Sequence, residues 1–264
     1  MAAAPRTTTD FTCEGKVALV TGGNRGLGYA FCLALAESGA SIAILDIGTP
    51  NDTGLSALRA LGVKAEFYSC DVSSASSVDT VVKQVAADFG GIDICINAAG
   101  IVKDEPFLET SLENIQRTLN VNTIGAFLVA QSCGRVMAEQ GKERGGSIIF
   151  IATLTSYQAT PIQKISIYSA SKAALRGLIK PMAMEMAPYG VRVNSISPGY
   201  MLTDMTRELE KQQPGLIEGF NKEAMLGRMG KPEELRGVVL LLASQAGSYI
   251  TGQDFLVEGG VSSW

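Results

Sequence analysis

From Gly15 onward, short apolar runs alternate with longer amphipathic ones. The run at 16–21 (KVALVT) is β-branched and ends in glycines, which predicts a strand, whereas 27–38 has helical spacing and stops at Gly39. Strands follow at 41–46 (SIAILD), 64–70 and 92–97 (IDICIN), separated by a short helix at 56–61 and a longer one at 74–89. The pattern then repeats in longer pieces. A mostly helical stretch at 111–140 precedes a strand at 147–153 (SIIFIAT), a helix at 168–187, a strand at 191–197 (VRVNSIS), a helix at 232–244 and a last strand at 254–257. The strands are nearly continuous apolar runs, as burial on both faces requires. Strict alternation predicts βαβ units, hence an α/β fold with a doubly wound parallel sheet and helices on both faces. Residues 14–264 are expected to form one domain behind a flexible tail at 1–13. The stretch 200–228 is polar, Met-rich and weakly periodic, and is expected to act as a lid beyond the carboxyl ends of the strands, where ligands bind in such folds.

With 264 residues and 46% apolar content, the chain is long enough for a large core and too apolar for disorder. Its 22 Lys and Arg against 26 Asp and Glu leave a net charge of −4, which argues against nucleic acid or an acidic membrane surface as a partner. There is no histidine. That excludes a Ser-His-Asp triad, a Cys-His pair and a His-ligated metal, so acid–base chemistry near neutral pH falls to Tyr, Lys, Cys, Asp or Glu. Cys13, Cys32, Cys70, Cys95 and Cys133 form no CxxC pair and no complete disulfide set, which points to a reduced, cytoplasmic setting. The N-terminal MAAAPRTTTDF lacks the apolar stretch of a secretory signal, and no run has the apolar length of a membrane span.

The first strand runs into TGGNRGLG, with Gly22, Asn24, Arg25, Gly26, Leu27 and Gly28 between strand and helix. Glycines there permit a tight turn and let the backbone approach a pyrophosphate, which the helix N-terminus then faces with free N–H groups. The second strand ends at Asp46, 18 residues after Gly28. A carboxylate there accepts both ribose hydroxyls of NAD(H) and repels a 2′-phosphate. Arg25 pulls the other way, since a guanidinium pairs with that phosphate and leaves NADP(H) open. Asp71 and Val72 follow the third strand, where they could hold an adenine edge. Further along, Tyr168 and Lys172 stand four apart on a helix and share a face. A nearby ammonium stabilises a phenolate and turns tyrosine into a usable acid/base.

Taken together, TGGNRGLG, INAAG at 96–100, NVNTIG at 120–125, YSASK at 168–172 and SPGYMLT at 197–203 occur in an order that resembles the short-chain dehydrogenase/reductase family. The resemblance runs from about residue 15 to 260, and RMGKPEEL and TGQDFLVEGG extend it. It implies a Rossmann-like catalytic domain. Tyr168 would be the acid/base, Lys172 would lower its pKa and hold the nicotinamide ribose, and Asn122 would anchor a water on the proton path. Asn97, Ala98, Ala99 and Gly100 would line the cofactor, and Pro198, Gly199, Met201 and Thr203 would border the nicotinamide. The family carries a serine 13 residues before the tyrosine, whose hydroxyl polarises the substrate oxygen. Here Thr155 matches that spacing, Thr153 matches the strand register with a longer loop, and Ser156 fits neither. Strand ends fix geometry better than loops, which favours Thr153.

The implied activity is interconversion of a secondary alcohol and a ketone with NAD(P), on a small-molecule substrate and without a metal. A softer similarity, carried by the longer loop and Trp264, points to polyol and ketose reductases. A ketoreductase of specialised metabolism, a lyase- or epimerase-like member and a catalytically silent dinucleotide sensor are the rival readings. The family also implies a homotetramer or homodimer.

Overall fold

The computed structural model describes residues 7–263, so Trp264 and the first six residues lie outside the described residues. Seven strands form one parallel sheet in the order β3-β2-β1-β4-β5-β6-β7. They are β1 (Val17–Thr21), β2 (Ser41–Asp46), β3 (Ala65–Ser69), β4 (Ile94–Asn97), β5 (Gly146–Ile151), β6 (Val191–Pro198) and β7 (Asp254–Val257). Between them run α1 (Gly26–Glu37), α2 (Asp52–Arg59), α3 (Ala75–Phe89), α4 (Leu112–Leu119), α5 (Ala126–Glu139), α6 (Ser166–Met186), α7 (Asp204–Gln212), α8 (Leu216–Glu223) and α9 (Arg236–Ala243). This is the doubly wound, Rossmann-like architecture that the apolar runs predict.

Successive strand residues point to opposite faces, so each strand feeds two cores. Ala18, Val20, Ile42, Ile44, Ile94 and Ile96 pack with Phe31 and Leu35 of α1 and Val239 and Leu242 of α9. Leu19, Ala43, Leu45, Cys95, Ile148 and Phe150 pack on the other side with Val82 of α3, Val129 of α5 and Leu175 of α6. Chain order reverses at β1, which pairs with β2 on one side and β4 on the other. The crevice beyond the ends of β1 and β4 is where such a sheet holds a ligand.

Three regions are built differently from their sequence pattern. The helical stretch at 111–140 is α4 and α5 joined by a π-helical segment, Asn120–Gly125, which contains Asn122. In the expected tail, Thr7–Phe11 forms a 3-10 helix, and Cys13 is buried with its N–H donating to Ser38 O at 2.8 Å. In the expected lid, α7 and α8 are helices. Leu216 and Phe220 of α8 bury against Leu154, Tyr200 and Val261 in a third, smaller core.

Candidate active site

The glycine loop bends β1 sharply into α1. Gly26 takes φ +56°, a conformation that disfavours a side chain. Gly28 packs so closely on Gly22 that a β-carbon would lie 2.1 Å from Gly22 O. Arg25, at the N-cap, makes no side-chain hydrogen bond to the helix. The first-turn N–H groups of α1 therefore stand at the cleft without an intrahelical partner, which suits an anion.

A cleft of about 570 Å³ runs past this helix end. It brings together Gly22, Arg25, Gly26, Leu27, Asp46, Asp71, Val72, Ala98, Ala99, Gly100, Thr153, Tyr168, Lys172, Pro198, Gly199, Met201 and Thr203. Its size is that of an ordinary small-molecule site. Asp46 accepts from Gly48 N–H at 3.1 Å, and Asp71 accepts from the N–H and hydroxyl of Ser73 at 2.9 and 2.7 Å. With an acid at the end of β2, a free helix N-terminus and the Tyr168–Lys172 pair on one cleft, these residues fit a dinucleotide.

Three expected residues stand just outside the cleft lining. Asn24 ties the glycine loop to the entry of α2, donating to Thr49 O at 2.7 Å and accepting from Asn51 N–H at 2.9 Å. Asn97 is 1% exposed at the end of β4, and its Oδ1 has no hydrogen-bond partner. Asn122 is fully buried: Oδ1 accepts from Ile101 N–H at 2.8 Å, and Nδ2 donates to Ile101 O at 2.9 Å and Ser171 Oγ at 3.0 Å. Its carboxamide thus joins the π-helical segment to the loop after β4 and to α6.

At the other end, α6 presents Tyr168 and Lys172 on one face. Lys172 is 4% exposed and donates from Nζ to Ile151 O at 2.7 Å. Burial pulls its ammonium down to about 8. Lys172 Nζ and Asn122 Oδ1 each lie 3.3 Å from the place a β-carbon on Gly100 would take, so the two converge there. The Tyr168 phenol is pushed up by burial and pulled partly back by a hydrogen bond with the Thr153 hydroxyl. Thr155 lies behind that hydroxyl, its N–H 3.3 Å and its Oγ1 3.4 Å from Thr153 Oγ1. Ser156 Oγ donates to Thr153 O at 2.6 Å. Of the three hydroxyls weighed from the sequence, only Thr153 lines the cleft with Tyr168.

Arg117 of α4, Ile101 and Val102 also line the cleft, and none of them lies in a quoted motif.

Comparison with known proteins places this geometry. Residues 22–262 match the family model described as enoyl-(acyl carrier protein) reductase. Sorbose reductase of Schizosaccharomyces pombe is 37% identical over 97% of this chain and 99% of its own. Among solved structures, an NAD+-bound xylitol dehydrogenase has a TM-score of 0.87 at 33% identity, covering 94% of this chain and 99% of its own. A putative NAD(P)-dependent gluconate 5-dehydrogenase from Beutenbergia cavernae, with bound NADP, has a TM-score of 0.89 at 30% identity over 97% and 100%. Both dinucleotides therefore occur among relatives of one architecture. Agreement in fold, length and motif order leads to one assignment: the chain belongs to the short-chain dehydrogenase/reductase family.

Proposed function

We propose that this protein interconverts a secondary alcohol and a ketone with NAD(P), Tyr168 moving the proton. The observation that carries the reading is that the Thr153 hydroxyl, the Tyr168 phenol and Lys172 line one cleft beside the glycine loop. The dinucleotide, when bound, supplies the hydride. Tyr168 gives its proton to the carbonyl oxygen or takes it from the alcohol. Thr153 donates a hydrogen bond to the same oxygen and stabilises charge developing there. Lys172 holds the ribose and, as a cation, favours the phenolate. Asn122 holds the π-helical segment against α6, and so keeps Lys172 in register with the cleft. Gly22, Gly26 and Leu27 receive the pyrophosphate, Ala98 to Gly100 line the cofactor, and Pro198, Gly199, Met201 and Thr203 border the nicotinamide.

Asp46 favours NAD(H), while Arg25 on the same cleft gives NADP(H) a partner. The relatives that act on polyols and ketoses make such a compound the first substrate class to try. Five buried, free thiols suit a reducing cytoplasm. Exposed Phe107, Leu108, Leu112 and Ile124 around α4 suit assembly with further copies of the chain into a homodimer or homotetramer.

The test is turnover of a panel of ketoses, polyols and simple ketones with each cofactor, by wild type and Tyr168→Phe. A general acid/base contributes about 10²–10⁴-fold, so the variant should lose at least a hundredfold in kcat while still binding NADH or NADPH. A variant within a few-fold of wild type sinks the tyrosine mechanism. Cofactor binding with no turnover across the panel favours the sensor.

A further inference from the structure

The turn that carries Thr153 is gripped from behind by residues that do not line the cleft. Ser156 donates to Thr153 O, and Ser156 O in turn accepts from Arg176 Nη1 at 2.7 Å. The Arg176 guanidinium lies over the Tyr157 ring, 3.3 Å from its centroid, and its Nε donates to Asp254 Oδ2 at 3.0 Å. Asp254, at the start of β7, also accepts from the Tyr157 hydroxyl, from Ser195 Oγ at 2.7 Å and from Ser197 Oγ at 2.9 Å. Its side chain is only 13% exposed. One carboxylate thus joins β6, β7, α6 and the turn after β5.

Helical spacing gives this grip its consequence. Tyr168, Lys172 and Arg176 recur every fourth residue of α6 and form a single stripe. The helix that presents the phenol to the cleft therefore also reaches, two turns on, to the turn that presents the hydroxyl. Thr153 Oγ1 accepts from the Thr155 N–H, which leaves its own proton to donate forward. Displacement of a reacting group by about an ångström costs on the order of a hundredfold in rate.

We propose that Arg176, anchored by Asp254, is a positioning residue for the reaction: it sets Ser156, and through Ser156 the backbone of Thr153, so that the Thr153 hydroxyl meets Tyr168 and the substrate oxygen. The proposal rests on the Thr153–Tyr168 reading above. It requires the full guanidinium, because one Nη holds the turn while Nε holds Asp254 and the plane stacks on Tyr157.

Alcohol oxidation by Arg176→Met, Ser156→Ala, Thr153→Val and the Arg176→Met/Thr153→Val double variant tests it, using the best substrate from the panel. Arg176→Met should lower kcat about tenfold, leave the KM for the cofactor within twofold, and move the tyrosine limb of the pH profile upward. The charged groups that share the cleft with Tyr168 are Lys172 on its own helix, Arg117 on α4, and Arg25, Asp46 and Asp71 at the nucleotide end, and all stay in place. Ser156→Ala, which keeps the Arg176–Asp254 pair, should move kcat and the limb the same way by less, and carries the test if Arg176→Met folds poorly. Arg176→Lys should recover only part of the loss. The double variant should match Thr153→Val alone, since both changes remove one interaction. A purely structural role would lower Tm and leave kcat and the pH limb at wild type, which overturns the proposal; so do losses that multiply in the double variant. Wild-type behaviour of Thr153→Val overturns both the proposal and the reading beneath it.

Discussion

Replacing Lys172 by methionine separates what this ammonium costs the fold from what it does in the cleft. Burial, with Nζ bonded to Ile151 O, brings its pKa from 10.5 down to about 8. The shift is downward for a base, so the charged form is disfavoured in the fold. The penalty is fully present below pH 8 and is relieved as pH rises toward 10.5, because in that window the unfolded chain still holds the proton that the folded chain has released. At roughly 1.4 kcal/mol per pH unit, wild type should gain about 2 kcal/mol on the methionine variant between pH 7 and pH 9.5. Thiols and phenols away from Lys172 titrate alike in both proteins and cancel in the difference. Urea unfolding of both proteins at the two pH values, followed by far-UV circular dichroism, reads the quantity directly. A stability difference that stays constant across the range would refute burial as the cause.

Gly28→Ala should weaken binding of both NADH and NADPH at least tenfold and lower Tm, because its β-carbon would meet Gly22 O at 2.1 Å; unchanged nicotinamide fluorescence titrations and melts would contradict that packing. Asp93→Ala should cost about 3 kcal/mol in urea unfolding, since Asp93 is 5% exposed and the change strands both Arg144, bonded at 2.9 and 3.1 Å, and Val17 N–H, bonded at 2.9 Å. A loss below about 1 kcal/mol would show that water replaces those bonds easily. Asp46→Ala should shift the ratio of NADH to NADPH affinity about tenfold toward NADPH, and Arg25→Ala should shift it the opposite way. Selectivity that stays put in both variants would place the discriminating contacts elsewhere on the cleft.

The five inner strands were legible because they are buried on both faces, so each stands out as an apolar run between turn residues. Ser41–Asp46 falls where its run ends, and Asp254–Val257 matches its expected bounds although it is a partly exposed edge strand. Less of the short helices could be read. The helix expected at 56–61 begins at Asp52, with the Asn51 side chain accepting from Gly54 N–H at 3.0 Å. Asn, Asp and Gly mark turns and helix starts alike, so the stretch NDTG reads as loop until its cap is seen. α8 hides for another reason: it buries Leu216 and Phe220, one i,i+4 pair, too little periodicity to stand out. Its partners Leu154 and Tyr200 come from distant segments, and no local pattern announces them.

The site divides along the same line between local and distant information. The glycine loop, the strand-end acid and the Tyr168–Lys172 pair are each defined within a few residues, and all of them line one cleft. Thr153 and Thr155 could not be separated by counting back from Tyr168, because the count runs through a loop whose length is free. Strand register is the better ruler, since β5 pairs Ile151 with Ile196 and Thr153 follows two residues later, beyond the strand's carboxyl end. Leu154 packs into the third core and Tyr157 donates to Asp254, so neither lines the cleft although both adjoin Thr153 in sequence. Arg117 lines the cleft from α4, which is tied to the loop after β4 where Asn114 Nδ2 donates to Glu105 Oε2 at 2.8 Å. The stripe of Tyr168, Lys172 and Arg176 is visible in the sequence as a four-residue repeat. What its third member holds is not, since Asp254 lies 78 positions away on β7. Helical periodicity shows which face a side chain occupies, and only the sheet's strand order shows what stands opposite it.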